Sequence, residues 1–456
     1  MTRTPLASTS AGRRTRWRLH PAQAVLGGFL LVIVLGTVLL SLPIAKTGPG
    51  GATLIEALFT AVSAACVTGH VIVDTPTFWS PFGQVVILVL IQIGGFGVMT
   101  FASVIGLAVM RRLSLRSTLL AATEVKSVGL DDVKGLVRGV VGISLTVEAV
   151  VFVLLFARFA TGFEHTVGEA AWLALFHAVS SFNNAGFALF SDNLMSFVAD
   201  PFICLPIAAA VIVGGLGFPV IMQLRKHARS PLRWTMNTRI VLAATVALLL
   251  AGTAYITAIE WNNPATLGPL EWPAKLLAGF FQSVQTRTAG FNSIDIGALD
   301  EATLIGMDAL MFIGGGPAGT AGGIKVTTFA VLFFILLAEI RGDGAVNVFG
   351  KRLSRAVHRQ ALTVALLSVA VVMSATTAIM LMTEFSLDRV LFEVVSAFGT
   401  VGLSTGITAD LPVAAQVILI LLMFIGRLGP ITFASALALR ERRVLYELPK
   451  ERPIIG

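Results

Sequence analysis

Four short stretches share a pattern of residues that could hold a dehydrated cation. They read FTAVSAACVTGH (Phe59–His70), FHAVSSFNNAGF (Phe176–Phe187), FQSVQTRTAGF (Phe281–Phe291) and FEVVSAFGTVGL (Phe392–Leu403). Each opens on Phe, passes a V-S or V-Q step and closes on a small residue and a glycine, and the third is one residue shorter before its glycine. Gly69, Gly186, Gly290 and Gly402 suit backbone conformations closed to residues with a Cβ. The residues just before them are Val67 and Thr68, Asn184 and Ala185, Thr288 and Ala289, Thr400 and Val401. These differ in side chain, so a site common to all four would be built from main chain. Four such loops about one axis supply a ring of carbonyls, the chemistry that replaces the hydration shell of a potassium ion. A short helix before each glycine would aim its partly negative C-terminus at the same point.

The segments that must position these loops are apolar and long. The 456 residues are 55% hydrophobic and 13% charged, whereas soluble domains carry about 25% charged residues. The runs Leu26–Ala45, Val85–Met110, Gly139–Phe159, Phe202–Met222, Ile240–Ile259, Thr303–Leu337, Ala361–Met382 and Ala414–Leu439 each reach the roughly 20 residues that span a bilayer. Helices are expected, since lipid offers the backbone no partners, and the runs lack the alternation of barrel strands. The lipid bilayer is therefore the first partner. The glycine-ended segments are preceded by apolar stretches (Leu54–Ala65, Ala170–Phe182, Ala274–Gln285, Asp388–Phe398) too short to cross, which suits re-entrant helices. The fold class that follows is an all-α polytopic membrane protein with four helix–pore loop–helix repeats around a central pore, at 24–111, 136–225, 237–340 and 358–440. A segment 1–23 precedes them and a tail 441–456 follows.

The net charge of +8 is distributed as membrane topology and not as a nucleic-acid surface. Lys and Arg cluster at 3–18, 111–138, 225–239, 341–359 and 440–452. Basic loops mark the cytoplasmic side, so both termini are expected there. The basic N-terminal stretch resembles a signal peptide, but the run after it is too long for an h-region and reads as a retained first helix. The opposite side carries Asp74, Glu164, Asp192, Asp200, Glu260, Asp295, Asp300, Glu301, Asp388 and Asp410. Ordinary solvated loops and an acidic mouth that concentrates cations are both compatible with that set.

Two features lie at membrane depth. A single helix over Thr303–Glu339 would exceed roughly 50 Å, against a hydrocarbon core of about 30 Å. It is interrupted by Gly314, Gly315, Gly316, Pro317, Ala318, Gly319, Thr320, Ala321, Gly322 and Gly323, a composition that breaks a helix. A phosphate loop is the competing reading, and it fails because Ile324 separates the glycines from Lys325. Lys325 either snorkels to the interface or serves gating. Arg427 sits mid-span in IGRLGP, where a charge is costly and usually faces the bundle interior. An ion pair with Asp308 and a fixed charge on the ion pathway are the two readings.

Glycines in IQIGGFGVMTF, IVGGLGFPV and MFIGRLGPITF read as helix-packing positions. Cys66 and Cys204 are too few and too distant for a disulfide framework. His165, His177, Asp74 and Asn292 lack metal-ligand spacing, and His177 reads as a packed, hydrogen-bonded residue. With no catalytic set legible, no enzyme is expected. A secondary transporter shares the broken helix, but predicts inverted two-fold repeats where these four run in one orientation.

The combination resembles the Trk/Ktr/HKT superfamily of potassium transporters, most closely the membrane subunit of bacterial Ktr systems. The matching stretches are ALFTAVSAACVTGHVIVDT, GQVVILVLIQIGGFGVMTF, FNNAGF, FQSVQTRTAGFN, GGGPAGTAGGIKVTT, GTVGLSTG and IGRLGP, spread over about residues 24 to 440. The resemblance implies one filter glycine per repeat, potassium as the conducted ion, sodium as an activating ion, and no covalent cofactor. It implies that 314–323 with Lys325 form an intramembrane gate loop, and that Arg427 is a pore charge. It further implies a homodimer in the plasma membrane, seated on a cytosolic ring of nucleotide-binding RCK-type regulatory subunits. One departure is His70, which follows the first glycine where the family carries an apolar residue.

Overall fold

A backbone in lipid must satisfy its own polar groups, and the apolar runs do so as helices. The computed structural model describes residues 21–118 and 130–429. The first repeat contains α1 (Pro21–Leu40), α2 (Leu54–Ala65), the single turn α3 (Thr75–Phe78) and α4 (Pro81–Thr118). The second contains α5 (Leu130–Gly162), α6 (Val167–Phe182), α7 (Pro201–Leu216) and α8 (Phe218–His227). The third contains α9 (Met236–Glu260), α10 (Trp272–Gln285), α11 (Glu301–Phe312) and α12 (Val326–Arg341). A two-stranded antiparallel ribbon, β1 (Asn347–Val348) with β2 (Lys351–Arg352), leads to the fourth: α13 (Arg355–Met380), α14 (Leu387–Gly399) and α15 (Val413–Leu428).

Helices α5, α9 and α13 are long and apolar enough to cross a membrane. Their outward faces are apolar, with Val153 on α5, Leu250 on α9 and Leu366 on α13 all exposed, as a lipid-facing surface requires. The run at 202–222 is not one straight span. It breaks at Gly217, whose φ is +89°, and α7 and α8 meet at 98°. A Cβ there would collide with the Pro317 carbonyl, so this glycine serves a break and a close approach, not helix packing alone. The run at 303–337 breaks between α11 and α12, as its glycines predict. In the last run, α15 stops at Leu428, followed by Gly429 at φ +82°. Most of the segment 1–23, the remainder of the fourth repeat and the tail 441–456 lie outside the described residues.

Of the short helices α2, α6, α10 and α14, the first two start from side-chain caps. In α2 and α6 a threonine and a glutamate cap each other's backbone amides, Thr53 with Glu56 and Thr166 with Glu169. The phenylalanine that opens each motif (Phe59, Phe176, Phe281 and Phe392) is fully buried. That common anchor explains its recurrence, because burying a side chain of this size is among the largest single contributions a core residue makes.

Candidate functional site

The four glycines meet in a closed ring. A Cβ on Gly69 would strike the Ala185 carbonyl oxygen, one on Gly186 that of Ala289, one on Gly290 that of Val401, and one on Gly402 that of Thr68. Each repeat touches the next and the fourth returns to the first. The residues Val67–Gly69, Asn184–Gly186, Thr288–Gly290 and Thr400–Gly402 are thus brought together around one point. Every glycine has positive φ, at +93°, +68°, +81° and +95° in chain order.

The residue two before each glycine is left-handed as well: Val67 at +54°, Asn184 at +59°, Thr288 at +70° and Thr400 at +49°. Three of these are β-branched, for which such a φ is a genuine outlier. Strain of this kind costs about 1–3 kcal/mol per residue and gathers at functional sites. Alternation of left-handed and ordinary residues in a three-residue loop directs successive carbonyls and amides in a way no helix or strand does. The register of the shorter third segment is also resolved. The amide of the residue before the glycine bonds five residues back in the other repeats (Thr68 to Ser63, Ala185 to Ser180, Val401 to Ser396), but four back in the third, Ala289 to Gln285.

The serine of the V-S step braces the loop. Ser63 and Ser396 Oγ accept from the amides of Gly69 and Gly402, each at 3.1 Å. Ser180 and Ser396 Oγ donate to the carbonyls of Phe187 and Leu403, at 2.8 and 2.6 Å. Residue two of the motif reaches further. His177 Nε2 accepts from the Leu189 amide at 3.4 Å, and Glu393 Oε1 from the Thr405 amide at 2.9 Å. Both bonds span twelve residues and tie the pore helix to the chain beyond the glycine. His177 Nδ1 also lies 2.8 Å from the Leu173 carbonyl, so this histidine is packed and hydrogen-bonded, as its sequence context predicts.

The glycine-rich segment between α11 and α12 packs directly against this ring. Its amides at Gly316 and Thr320 bond the carbonyls of Gly215 and Gly214, at 2.7 and 3.2 Å, and its Ala318 carbonyl accepts from Phe218 at 3.0 Å. The Thr320 hydroxyl is hydrogen-bonded to the Asn184 side chain at 3.0 Å. With its nitrogen turned towards Thr320, the Asn184 amide also reaches the carbonyls of Phe182 and Val211, at 3.3 Å each. A Cβ on Gly322 would run into Thr400 Oγ1. Gly314 and Ile324 close the base of the loop, amide to carbonyl, at 2.8 Å. Backbone this irregular is tolerated at membrane depth only where protein or a watery cavity receives it.

Arg427 is buried and donates to the Thr320 carbonyl and, at 3.2 Å, to the Gly94 carbonyl. It does not pair with Asp308, whose buried Oδ1 has no hydrogen-bond partner among the described residues. Lys325 does not snorkel. Its ammonium turns back onto the loop and donates to the Ala321 carbonyl at 2.5 Å.

Several of the acidic residues expected at a mouth are engaged by protein groups. Asp200 is ion-paired to Arg158 at 2.8 Å. Glu260 is fully buried and accepts from Thr303, Thr266, Asn263 and the Asp300 amide, which makes it a structural node. Asp74 accepts from Thr77 and Ser191, His165 packs edge-on to Phe159, and the Asn292 side chain closes on the Ile294 carbonyl. No cluster of metal-binding side chains exists among the described residues. Cys66 and Cys204 are buried free thiols.

Three groups escaped the sequence reading. Arg287, inside the third motif, is buried and directs its guanidinium to the carbonyls of Gly314 and Thr245, at 3.4 Å each. Glu148 on α5 accepts from Gln92 at 3.0 Å and Asn183 at 3.4 Å, joining the first two repeats behind Asn184. Glu393 gathers its donors beside the fourth loop. The signal for all three was available, since an ionisable residue inside an intramembrane run needs a named partner.

The family described as TrkH, a cation transport protein, matches residues 29–442. The chain is 40% identical over 428 residues to the Ktr system potassium uptake protein B of Bacillus subtilis, covering 94% of this chain and 95% of that one. It is 39% identical to the Ktr system potassium uptake protein B of Vibrio alginolyticus, covering 98% and 97%. It is 34% identical to the potassium/sodium uptake protein NtpJ of Enterococcus hirae, covering 97% and 99%. The crystal structure of the potassium transporter TrkH from Vibrio parahaemolyticus superposes with a TM-score of 0.69 at 18% identity, over 94% of this chain and 87% of that one. The ring of four left-handed loops, carried by four repeats of this length and order, therefore sits on a chain that belongs to the TrkH family of cation transport proteins.

Proposed function

We propose that this chain is the pore-forming subunit of a Ktr-type potassium uptake system in the plasma membrane. The carrying observation is the closed ring of four glycine-ended loops, each held left-handed at two positions. Main-chain oxygens of Val67, Thr68, Asn184, Ala185, Thr288, Ala289, Thr400 and Val401 would replace water around potassium, with Gly69, Gly186, Gly290 and Gly402 allowing the approach. The four short helices add the negative ends of their dipoles. Transport then follows the membrane potential, since the sequence carries no complete nucleotide site.

The loop 314–323 is the gate in this reading, locked by Arg427 on one side and by Asn184 on the other. Moving it requires breaking the bonds to Thr320, so the closed state is favoured until a partner distorts α12 or its neighbours. The partner is a cytosolic ring of nucleotide-binding RCK-type subunits bound by a homodimer of this chain, with sodium as an activating ion. The names of the Bacillus and Vibrio relatives support the system, and that of the Enterococcus protein supports a role for sodium.

Growth of a potassium-uptake-deficient bacterium on low potassium, with the regulatory partner supplied, tests the reading. Rescue is expected. Absence of rescue with the chain present in the membrane would favour a symporter with a midplane site. In liposomes, influx of potassium and rubidium should exceed that of sodium, and Gly290→Ser should erase the difference. Deletion of 316–322 should leave a pore that conducts without control; unchanged flux would remove the gate role.

A further inference from the structure

The residue after the filter glycine is Phe187, Phe291 and Leu403 in three repeats, and His70 in the first. The His70 side chain is fully buried, and neither ring nitrogen has a hydrogen-bond partner among the described residues. Its Nδ1 lies 3.5 Å from Oε2 of Glu393, which is itself buried on α14. Four donors converge on that carboxylate. Oε1 accepts from Ser404 Oγ at 2.7 Å, the Thr405 amide at 2.9 Å and Thr405 Oγ1 at 3.2 Å, while Oε2 accepts from Thr408 Oγ1 at 2.8 Å. Glu393 therefore fixes the chain beyond Gly402, and His70, one residue beyond Gly69, reaches the same group from the neighbouring repeat.

These two loops are already in contact, since a Cβ on Gly402 would strike the Thr68 carbonyl. The pair therefore ties the first and fourth repeats together just past the point where their filter glycines meet. The other seams of the ring have no equivalent histidine–carboxylate contact among the described residues. Phe291 faces His177 across the second and third repeats only through ring packing, at 6.2 Å between centroids. A carbonyl ring selects by the spacing and the number of its oxygens, so a tie at one seam acts on selectivity directly.

We infer that His70, held by Glu393, is a specificity-determining positioning residue that sets how strongly this pore prefers potassium over sodium. The inference rests on the proposed filter and adds to it a residue outside the carbonyl ring. Removal of the imidazole frees the first loop to relax at its outer end and lets the ring contract around the smaller ion.

The test is the ratio of potassium to sodium influx in liposomes containing the full-length chain. H70L should lower the ratio about tenfold, the equivalent of roughly 1.4 kcal/mol of discrimination. H70N, whose amide nitrogen can take the place of Nδ1, should restore most of it. H70L combined with E393Q should be no worse than the stronger single change, since both remove one interaction. Where H70L does not reconstitute, H70A is read in its place. An unchanged ratio in the leucine or alanine variant, or strictly additive losses in the double variant, overturns the inference. Gly290→Ser is measured in parallel. If it keeps the preference for potassium, the filter reading itself has failed; if it loses the preference while H70L keeps it, only the role of His70 has.

Discussion

The Thr320 hydroxyl in the glycine-rich loop and the Asn184 side chain in the second filter segment are hydrogen-bonded at 3.0 Å. This bond joins the loop proposed as the gate to the loop proposed to select the ion. Asn184 is also one of the four left-handed residues of the ring. Thr320 carries a second tether through its carbonyl, which accepts from Arg427. A displacement of the loop must therefore be felt at the ring.

Thr320→Val keeps the shape and removes the hydroxyl. A net hydrogen bond is worth about 0.5–1.5 kcal/mol, so the closed state should lose roughly two- to tenfold of its advantage. Potassium flux without the regulatory partner should rise by that factor in liposomes. No rise would show that the bond does not contribute to closure.

Arg427→Ala removes both carbonyl tethers and a buried positive charge. The expected result is faster transport or weaker control by the partner. Arg427→Lys retains the charge but not the planar fork that reaches Thr320 and Gly94 together, so it should release control partially. An unaltered rate at normal expression for Arg427→Ala would remove the proposed locking role from this residue.

Gly402→Ala places a methyl group against the Thr68 carbonyl at a φ of +95°, a region closed to alanine at low cost. The ring must open at the seam between the first and fourth repeats. Discrimination between potassium and sodium should fall at least about tenfold, the equivalent of roughly 1.4 kcal/mol. Retained discrimination would mean that the ring does not set selectivity.

Glu148→Leu leaves Gln92 and Asn183 without their shared acceptor. Unsatisfied buried polar groups cost about 1–3 kcal/mol, so the midpoint of thermal unfolding in detergent should fall. Glu148→Gln retains an oxygen that can accept and should lose less. Equal midpoints for the leucine variant and the original chain would show that the network is not stabilising.

The sequence by itself determined the membrane class, the four repeats, the four glycines and the break between α11 and α12. These follow from run length, from the cost of glycine and proline in a helix, and from a motif that recurs in one orientation. All of them are local properties of the chain. The left-handed states of Val67, Thr288 and Thr400 were not legible, because nothing in a β-branched side chain announces a conformation that only surrounding contacts can enforce. The partners of Arg427, Arg287, Lys325 and Glu393 were likewise decided by tertiary structure. Each binds backbone carbonyls or side chains that the fold brings close, and carbonyls carry no signature in sequence. The bend at Gly217 was hidden for the same reason. A glycine in an apolar run reads as packing until a neighbouring loop, here the carbonyl of Pro317, occupies the space a side chain would need.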